Sequence, residues 1–512
     1  MKSKCFLLAA FLLINLLVAC VRPQTNTQDQ FWAPSNETAT QSLPGIQLQP
    51  SRTANSNVPP APSPNVSFSA PTPDLPHVVP TLRANSVNYV VEAGDSLAVI
   101  ARRYGVDVTT IANTNQISNP DLLKIGQALV IPPPSPTLKA PDFKIIPDSE
   151  LVLSPLTKGF DLAGFIHSKN GYLDGYSEKV DNDLMTGVEI VDRVSREHSV
   201  NPRILLTVLE FQGGWVMSKN PPSQYIDYPM GFFDRSRQGL YKQLFWAANM
   251  LDQGFYGWQQ EQFGDWILVD GTVTLVSPAV NSGTAAVQYL MGLLRGQDTW
   301  LNSVSQNGVY AAYNNLFGNP FNYTFWPIVP DGLSQPTLQL PFENNVQWYF
   351  TGGPHMGWDT GSPWAALDFA PEDASNCNLS ATWETAVADG VIARSGNGSV
   401  VLDLDGDGYE QTGWTILYLH VSDQDRIAAG TKVHAGDHIG HASCEGGYAP
   451  ETHLHIARRY NGMWILADGP IPFVMDGWVP ESTGVEYDGN LKKNGQVVEA
   501  WNSRKDENKI QR

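Results

Sequence analysis

Apolar and polar positions divide the chain into stretches of different period. Residues 6–18 form an almost continuous apolar run, broken only by Asn15, behind the basic start Met1-Lys2-Ser3-Lys4. The run is too short for a comfortable membrane span. With Ala19-Cys20 after it, residues 1–20 are expected to be a secretory signal. Residues 21–86 have no apolar period. Pro, Ser, Asn, Thr and Gln dominate, as in PPAPSPNVSFSAPTPDLP, and such a stretch cannot bury a core. It is expected to be a disordered, partly extended spacer that gives reach.

Period returns over residues 87–133. Tyr89-Val90-Val91 predicts a strand and Gly94-Asp95 a turn, with Asp95 placed to cap a helix. Leu97, Ile100, Ala101 and Tyr104 fall on one helical face, and Gly105 stops that helix. Residues 108–115 predict a second helix and residues 128–131 a closing strand before Pro132, giving a β-α-α-β unit. Residues 145–330 are mostly α-helical in pattern. Val188, Val191, Val194 and His198 mark one inner face, and Asn201-Pro202 restarts a helix that carries Glu210 near its end before Gly213-Gly214. YKQLFWAANMLDQGFYGW and GTAAVQYLMGLL predict further helices. From Gln347 the period drops to short strands with Gly-rich turns, so residues 345–478 predict an all-β domain. In residues 479–512, EYDGNLKKNGQVVEAW predicts one more hairpin, and the last dozen residues look frayed and polar. The expected fold class is therefore multidomain.

Composition narrows the partners. A chain of 512 residues has room for about three domains. Its net charge of −19 repels phosphate backbones and argues against nucleic acid. Only 16% of residues are charged, while 15 Trp, 18 Tyr and 20 Phe suit contact with polymers such as glycans. Of four cysteines, Cys377 and Cys444 lie in the all-β region. In an exported protein a disulfide between them is permitted, and zinc ligation is the alternative.

The chemistry concentrates in the all-β region. His453-Leu454-His455 puts two imidazoles on one face of a strand, with Leu454 on the other. His355 follows a Gly-Gly-Pro turn, and Asp368 sits in the apolar strand Ala-Leu-Asp-Phe-Ala, where an unpaired carboxylate would be costly. Two histidines and one carboxylate leave a fourth position open for water, the pattern of a catalytic zinc site. We therefore expect His355, Asp368 and His455 to ligate one Zn(2+) per chain. Asp359 competes for the carboxylate position. Asp403-Leu-Asp405-Gly-Asp407-Gly408 looks like the start of a calcium loop, but position 414 is Trp where a twelfth ligand would stand; a polar hairpin tip is the preferred reading.

Four resemblances add to this reading. Leu17-Val18-Ala19-Cys20 resembles the lipobox of bacterial lipoproteins, which implies a lipidated Cys20 tethering the chain to the outer face of a membrane. NYVVEAGDSLAVIARRYGVDVTTIANTNQISNPDLLKIGQALVIP resembles a LysM domain along its whole length. That implies binding of N-acetylglucosamine-containing glycans in a groove between the 94–97 and 119–125 loops, with Gly94, Asp95, Ser96, Asn119 and Pro120 at it. The helical region is similar to lysozyme-like lytic transglycosylases, whose catalytic Glu matches Glu210. The Glu-Ser pair of that family is Glu210-Phe211 here, so an acidic residue ending a helix in a spacer or substrate-positioning domain is the preferred reading, and a glycosidase acid the alternative.

Over about residues 348–470 the sequence resembles the lysostaphin-type and β-lytic zinc endopeptidases of bacterial cell walls. In that family the ligand Asp is followed by an apolar strand and a Pro, as Asp368 is by Phe369-Ala370-Pro371, whereas Asp359 enters a turn. The resemblance places His420 and His453 beside the open coordination position as catalytic groups, with the roles of base and oxyanion donor unassigned between them. It treats the segment with His434, His438 and His441 as a surface hairpin without ligands. The whole reading is an exported, membrane-anchored, wall-associated zinc metalloendopeptidase that hydrolyses peptide cross-links of peptidoglycan. The alternatives are an inactive wall-binding activator of another hydrolase and a bifunctional enzyme using Glu210. Oligomeric state is left open.

Overall fold

Val87–Val90 (β1) and Ala128–Ile131 (β2) pair antiparallel. Their alternation buries Tyr89, Leu129 and Ile131 beneath helices Leu97–Tyr104 (α1) and Val108–Thr114 (α2) and leaves Val90 and Val130 exposed. This first unit belongs to a computed structural model that describes residues 77, 79–120 and 122–512. The expected signal segment with Cys20 and the expected spacer as far as residue 76 lie outside the described residues. One expectation is corrected in the first unit. Ser96, not Asp95, caps α1, its hydroxyl accepting from Val99 N at 3.2 Å. Asp95 instead accepts from Tyr89 Oη at 2.6 Å and Glu92 N at 2.8 Å, which shapes the preceding turn. Gly105 ends α1 at a φ of 65°, a conformation that favours glycine.

The middle region is helical with small strands added. Its helices are Leu162–Lys169 (α3), Gly187–His198 (α4), Pro202–Gly213 (α5), Leu240–Gln259 (α6), Ser282–Leu294 (α7), Gln297–Ser303 (α8) and Val309–Phe317 (α9). Leu138–Lys139 (β3), Asp265–Ile267 (β6) and Val273–Leu275 (β7) form one sheet, and Ser177–Val180 (β4) and Asp183–Thr186 (β5) a hairpin. Thr186 and Glu189 form a capping box on α4, and Asn201 with Pro202 starts α5 as the sequence predicts. The long helix α6 is buried almost throughout, packed on α4 and α7.

The C-terminal region is built on one nine-stranded antiparallel sheet. Lys432–Val433 (β14), Gly390–Gly396 (β11), Ser399–Asp403 (β12), Trp414–Leu419 (β13), Leu454–Tyr460 (β16), Ala366–Pro371 (β9), Trp348–His355 (β8) and Lys509–Ile510 (β21) follow one another across it, with Met463–Trp464 (β17) beside β16. Trp383–Thr385 (β10) and His438–His441 (β15) pair separately, and Val479–Ser482 (β18), Gly489–Lys493 (β19) and Gln496–Glu499 (β20) form a third sheet. Alternation sorts the two faces of the main sheet. Leu367, Leu402, Ile416, Tyr418 and Ile456 face a core shared with Leu491, Val498, Ala500 and Ile510. Ala366, Val401, Leu417, Leu419 and Ala457 share a core with the helices of the middle region. Asp368 and His455 have the parity of Ala366 and Ala457, so the candidate metal ligands lie on the face that the helical region covers. The docking is also polar: Trp464 Nε1 donates to His198 O at 3.2 Å and Ser199 Oγ to Gly462 O at 2.7 Å.

The chain end differs from expectation. Residues 509–510 are an edge strand on β8, and the buried Asn508 side chain donates to Phe350 O at 2.9 Å, so the terminus is part of the sheet rather than frayed. The all-β unit accordingly continues past residue 478 to the C-terminus.

Glu384 on β10 is fully buried, and neither carboxyl oxygen has a hydrogen-bond partner among the described residues. Burial pushes its pKa well above the ordinary value. The folded chain keeps this proton while the unfolded chain releases it above about pH 4.3. Stability should therefore fall as pH rises past that point, by up to about 1.4 kcal/mol per pH unit from this group. We expect the stability of Glu384→Gln in urea unfolding between pH 5 and 7 to fall less, or rise more, with pH than that of wild type. Equal slopes in the two proteins would refute it.

Candidate metal centre

Three neighbouring strands deliver the candidate ligand set. His455 on β16 is the direct cross-strand partner of Asp368 on β9, and Asp368 is paired with Gly352 on β8, the strand that ends in His355. A side chain at position 352 would have its Cβ 2.5 Å from Asp368 Oδ2, so the glycine makes room for the carboxylate. His355 Nε2 and His455 Nδ1 lie 2.9 Å apart, and Asp368 Oδ1 lies 3.1 Å from the first and 3.3 Å from the second. All three residues are buried.

Backbone carbonyls fix the tautomers. His355 Nδ1 donates to Gly353 O at 2.8 Å and His455 Nε2 to Gly357 O at 3.1 Å. In each neutral ring the opposite nitrogen carries a lone pair. Two imidazole lone pairs and a carboxylate oxygen thus converge on one point with no hydrogen between them. Such an arrangement needs a positive charge at its centre, and the two-His, one-carboxylate set fits zinc. The electrostatics point the same way. Burial depresses the His355 pKa, but the charge of Asp368 overrides it and the net shift is upward. Burial by itself would raise Asp368, but His355 and His453 hold its carboxyl well below the ordinary value.

His420 and His453 stand beside this group with ring centroids 4.5 Å apart. His420 Nδ1 donates to Glu445 O and His453 Nδ1 to Glu451 O, each at 2.8 Å, which leaves both Nε2 atoms as acceptors. His453 Nε2 is 3.8 Å from Asp368 Oδ1. His420 follows the last residue of β13 with a φ of 68°, an uncommon value for a residue with a side chain and one concentrated at functional sites. Burial, then His453 and His455, push its pKa well below the ordinary value, so it is neutral.

Sequence reasoning did not single out Tyr487. Its ring stacks on His355 with centroids 4.2 Å apart and an interplanar angle of 23°, and it is 38% exposed. Gly353 N donates to Tyr487 O at 2.8 Å, which holds the loop before β19 against β8. The available signal was the aromatic beside Glu486 and Asp488 in a turn-rich segment, too weak to use alone.

The other expected site residues have these places. Asp359 lies in the turn between β8 and β9, where it accepts from Thr360 N at 2.7 Å; burial raises its pKa to about 6. Cys377 and Cys444 form a disulfide with 5.4 Å between Cα atoms, closing a loop of 67 residues. By chain-entropy reasoning a loop of that length contributes about 4 kcal/mol. The Cys377→Ser/Cys444→Ser protein should lose most of that in urea unfolding, and a loss under about 1 kcal/mol would show the bridge to be inert. Glu210 Oε2 accepts from Val216 N at 2.9 Å and Met217 N at 3.0 Å, so this carboxylate staples the turn after α5. Gly94, Ser96, Asn119 and Pro120 are exposed, and Leu122 and Ile125 are 70% and 74% exposed beside them. Asp403, Asp405 and Asp407 accept backbone N–H groups of their own loop, and Asp407 pairs with Lys158 at 2.6 Å. Of the three hairpin histidines, His434 and His438 are exposed. His441 is not: it is buried against Trp383 at 3.8 Å between ring centroids, because β15 alternates inward there.

Comparison with known proteins defines the class first. Residues 89–132 match the family model of the LysM domain, and residues 144–328 match that of the LasA N-terminal domain. The chain therefore carries a LysM domain followed by a LasA-type N-terminal domain. It is a homologue of protease LasA from Pseudomonas aeruginosa, 27% identical over 301 residues that cover 55% of this chain and 68% of the relative. It is also similar to N-acetylmuramoyl-L-alanine amidase XlyA of Bacillus subtilis, 34% identical over 120 residues, covering 23% of this chain and 40% of the relative. Among solved structures, the M23 metalloprotease pseudoalterin from the deep sea aligns at 23% identity and a TM-score of 0.28, covering 33% of this chain and 97% of that one.

Proposed function

We propose that the chain is an exported zinc endopeptidase that cuts peptide cross-links of peptidoglycan, held on its substrate by the LysM domain. The observation that supports it most is the set of four imidazoles on one site, each anchored through one nitrogen by a backbone carbonyl and presenting the other inward. Zinc, when held by His355, Asp368 and His455, supplies Lewis acidity and lowers the pKa of water. The protein's own groups do the rest. One of His420 and His453 takes the proton of the attacking water as the carbon–oxygen bond forms, and that proton then passes to the leaving amine as the carbon–nitrogen bond breaks. The other, which takes a proton from solvent before the reaction and keeps it throughout, donates that N–H to the carbonyl oxygen as negative charge develops there. The rigid carbonyl anchors keep both Nε2 atoms aimed without reorganisation. The LasA homology supports a peptidase, and the LysM domain supports wall binding by raising local substrate concentration. Lipidation of Cys20 and anchoring at the outer face of a membrane belong to the same proposal; among the described residues no helix is long and apolar enough to cross a membrane.

Digestion of purified peptidoglycan, with products identified by mass spectrometry, tests the reading. Wild type should release peptide-cleaved fragments and His455→Ala none; full activity in His455→Ala would end the zinc proposal. Glu210→Gln should give the same products as wild type, because its carboxylate is already occupied by two backbone N–H groups. Loss of glycan-cleaved products in that variant would instead establish the bifunctional alternative.

A further inference from the structure

We propose that Asn249, on α6 of the helical region, is a positioning residue of the metal centre, acting through the turn that orients His455. The inference rests on the zinc reading above. His455 faces the metal position through Nδ1 because Nε2 donates to Gly357 O at 3.1 Å. Gly357 begins a tight turn. Its N–H donates to Pro363 O at 3.0 Å, Trp358 N to Ser362 Oγ at 2.9 Å and Ser362 N to Asp359 O at 2.8 Å. Asn249 grips the outer side of the same turn with both ends of its amide. Oδ1 accepts from Gly361 N at 2.6 Å, and Nδ2 donates to Thr360 Oγ1 at 2.8 Å.

The grip leaves little freedom. Asn249 is 6% exposed in a helix that is otherwise mostly apolar, so its amide must be satisfied, and the turn is what satisfies it. A Cβ at Gly361 would lie 2.0 Å from Asn249 O, and one at Gly357 2.8 Å from the Trp464 ring. The turn is therefore wedged between α6 on one side and His455 on the other. A carbonyl that fixes a ligand's tautomer tunes metal affinity, and losing such a partner costs about 10–100-fold. On this view the helical region is part of the metal centre rather than a spacer beside it.

The test uses the full chain and does not depend on activity. Zinc affinity is measured by competition with a chromophoric chelator, the Co(2+)-loaded protein is examined by visible absorption, and thermal unfolding of the metal-free protein is recorded. Asn249→Ala should weaken zinc binding by about tenfold or more and shift the cobalt bands. Thr360→Val removes one of the two contacts with little change in volume, and should weaken zinc binding less, with a smaller shift of the same bands. It also keeps the proposal testable if Asn249→Ala does not fold. Unchanged zinc affinity and cobalt spectrum in the variants, with only a lower unfolding temperature, would overturn the inference and leave Asn249 a stability residue. Failure of wild type to bind zinc would overturn the zinc reading, and this inference with it.

Discussion

Asp368→Asn should lower zinc affinity by about 100-fold or more, while Asp359→Asn leaves it within about threefold. The first figure follows from removing one anionic ligand of three in a site whose total binding energy is on the order of 10 kcal/mol, roughly 3 kcal/mol. Asparagine keeps the shape and one oxygen, so the loss reports the charge. That charge is what binds the site together electrically: Asp368 Oδ1 stands 3.1 Å from His355 Nε2 and 3.3 Å from His455 Nδ1. It also overrides the burial of His355 and lifts that ring's pKa, so without it the site attracts a cation less strongly. Asp359 is just as buried, but its oxygen serves the turn through Thr360 N, and asparagine can still accept that bond. Chelator competition on the two purified variants gives the answer directly. Tight zinc binding by Asp368→Asn with loss in Asp359→Asn would move the carboxylate ligand to the turn.

That choice shows what the sequence could carry. His453 and His455 were legible because strand alternation is local, and Asp368 was legible as a carboxylate in an apolar strand. The local sign that favours Asp368 over Asp359, a strand against a turn, is joined by a nonlocal one: the cross-strand register sets His455 opposite Asp368. No local pattern contains that pairing. Tyr487 stayed invisible for the same reason, since its place on His355 depends on a backbone bond between Gly353 and the loop before β19. Asp95 and Ser96 show the limit at short range. Both are good helix caps, and Tyr89 Oη, brought in by strand pairing, decides between them by engaging Asp95. The polar C-terminus looked frayed because a two-residue edge strand has almost no periodic signal, yet β8 offered it a free edge.

The least legible feature carries the second large effect. Glu410→Gln should destabilise the protein by about 3–5 kcal/mol near pH 7. Glu410 is buried on the loop between β12 and β13 and meets three guanidinium groups: Arg394 at 2.8 Å, Arg459 at 2.9 Å and Arg196 at 3.3 Å. Arg394 and Arg459 belong to the main sheet and Arg196 to α4, so one carboxylate joins the two regions. Burial alone would raise its pKa, but Arg394, Arg459 and Arg196 hold it down at about 2. Because the folded value lies below the unfolded value of about 4.3, the stabilisation is fully present above pH 4.3 and disappears as pH falls towards 2. Glutamine keeps the shape but leaves the buried Arg459 and the half-buried Arg394 without a counter-charge, while Arg196 keeps only Asp192. The gap in urea unfolding between wild type and variant should therefore be wide at pH 7 and narrow steadily below pH 4.3. A gap that stays constant on acidification would mean that Glu410 acts through packing and not through charge. Lys158 pairs with Asp407 on the same loop, but that pair is part-exposed and worth at most about 1 kcal/mol, so it cannot replace the Glu410 cluster as a tie between the helices and the sheet face that carries the candidate metal ligands.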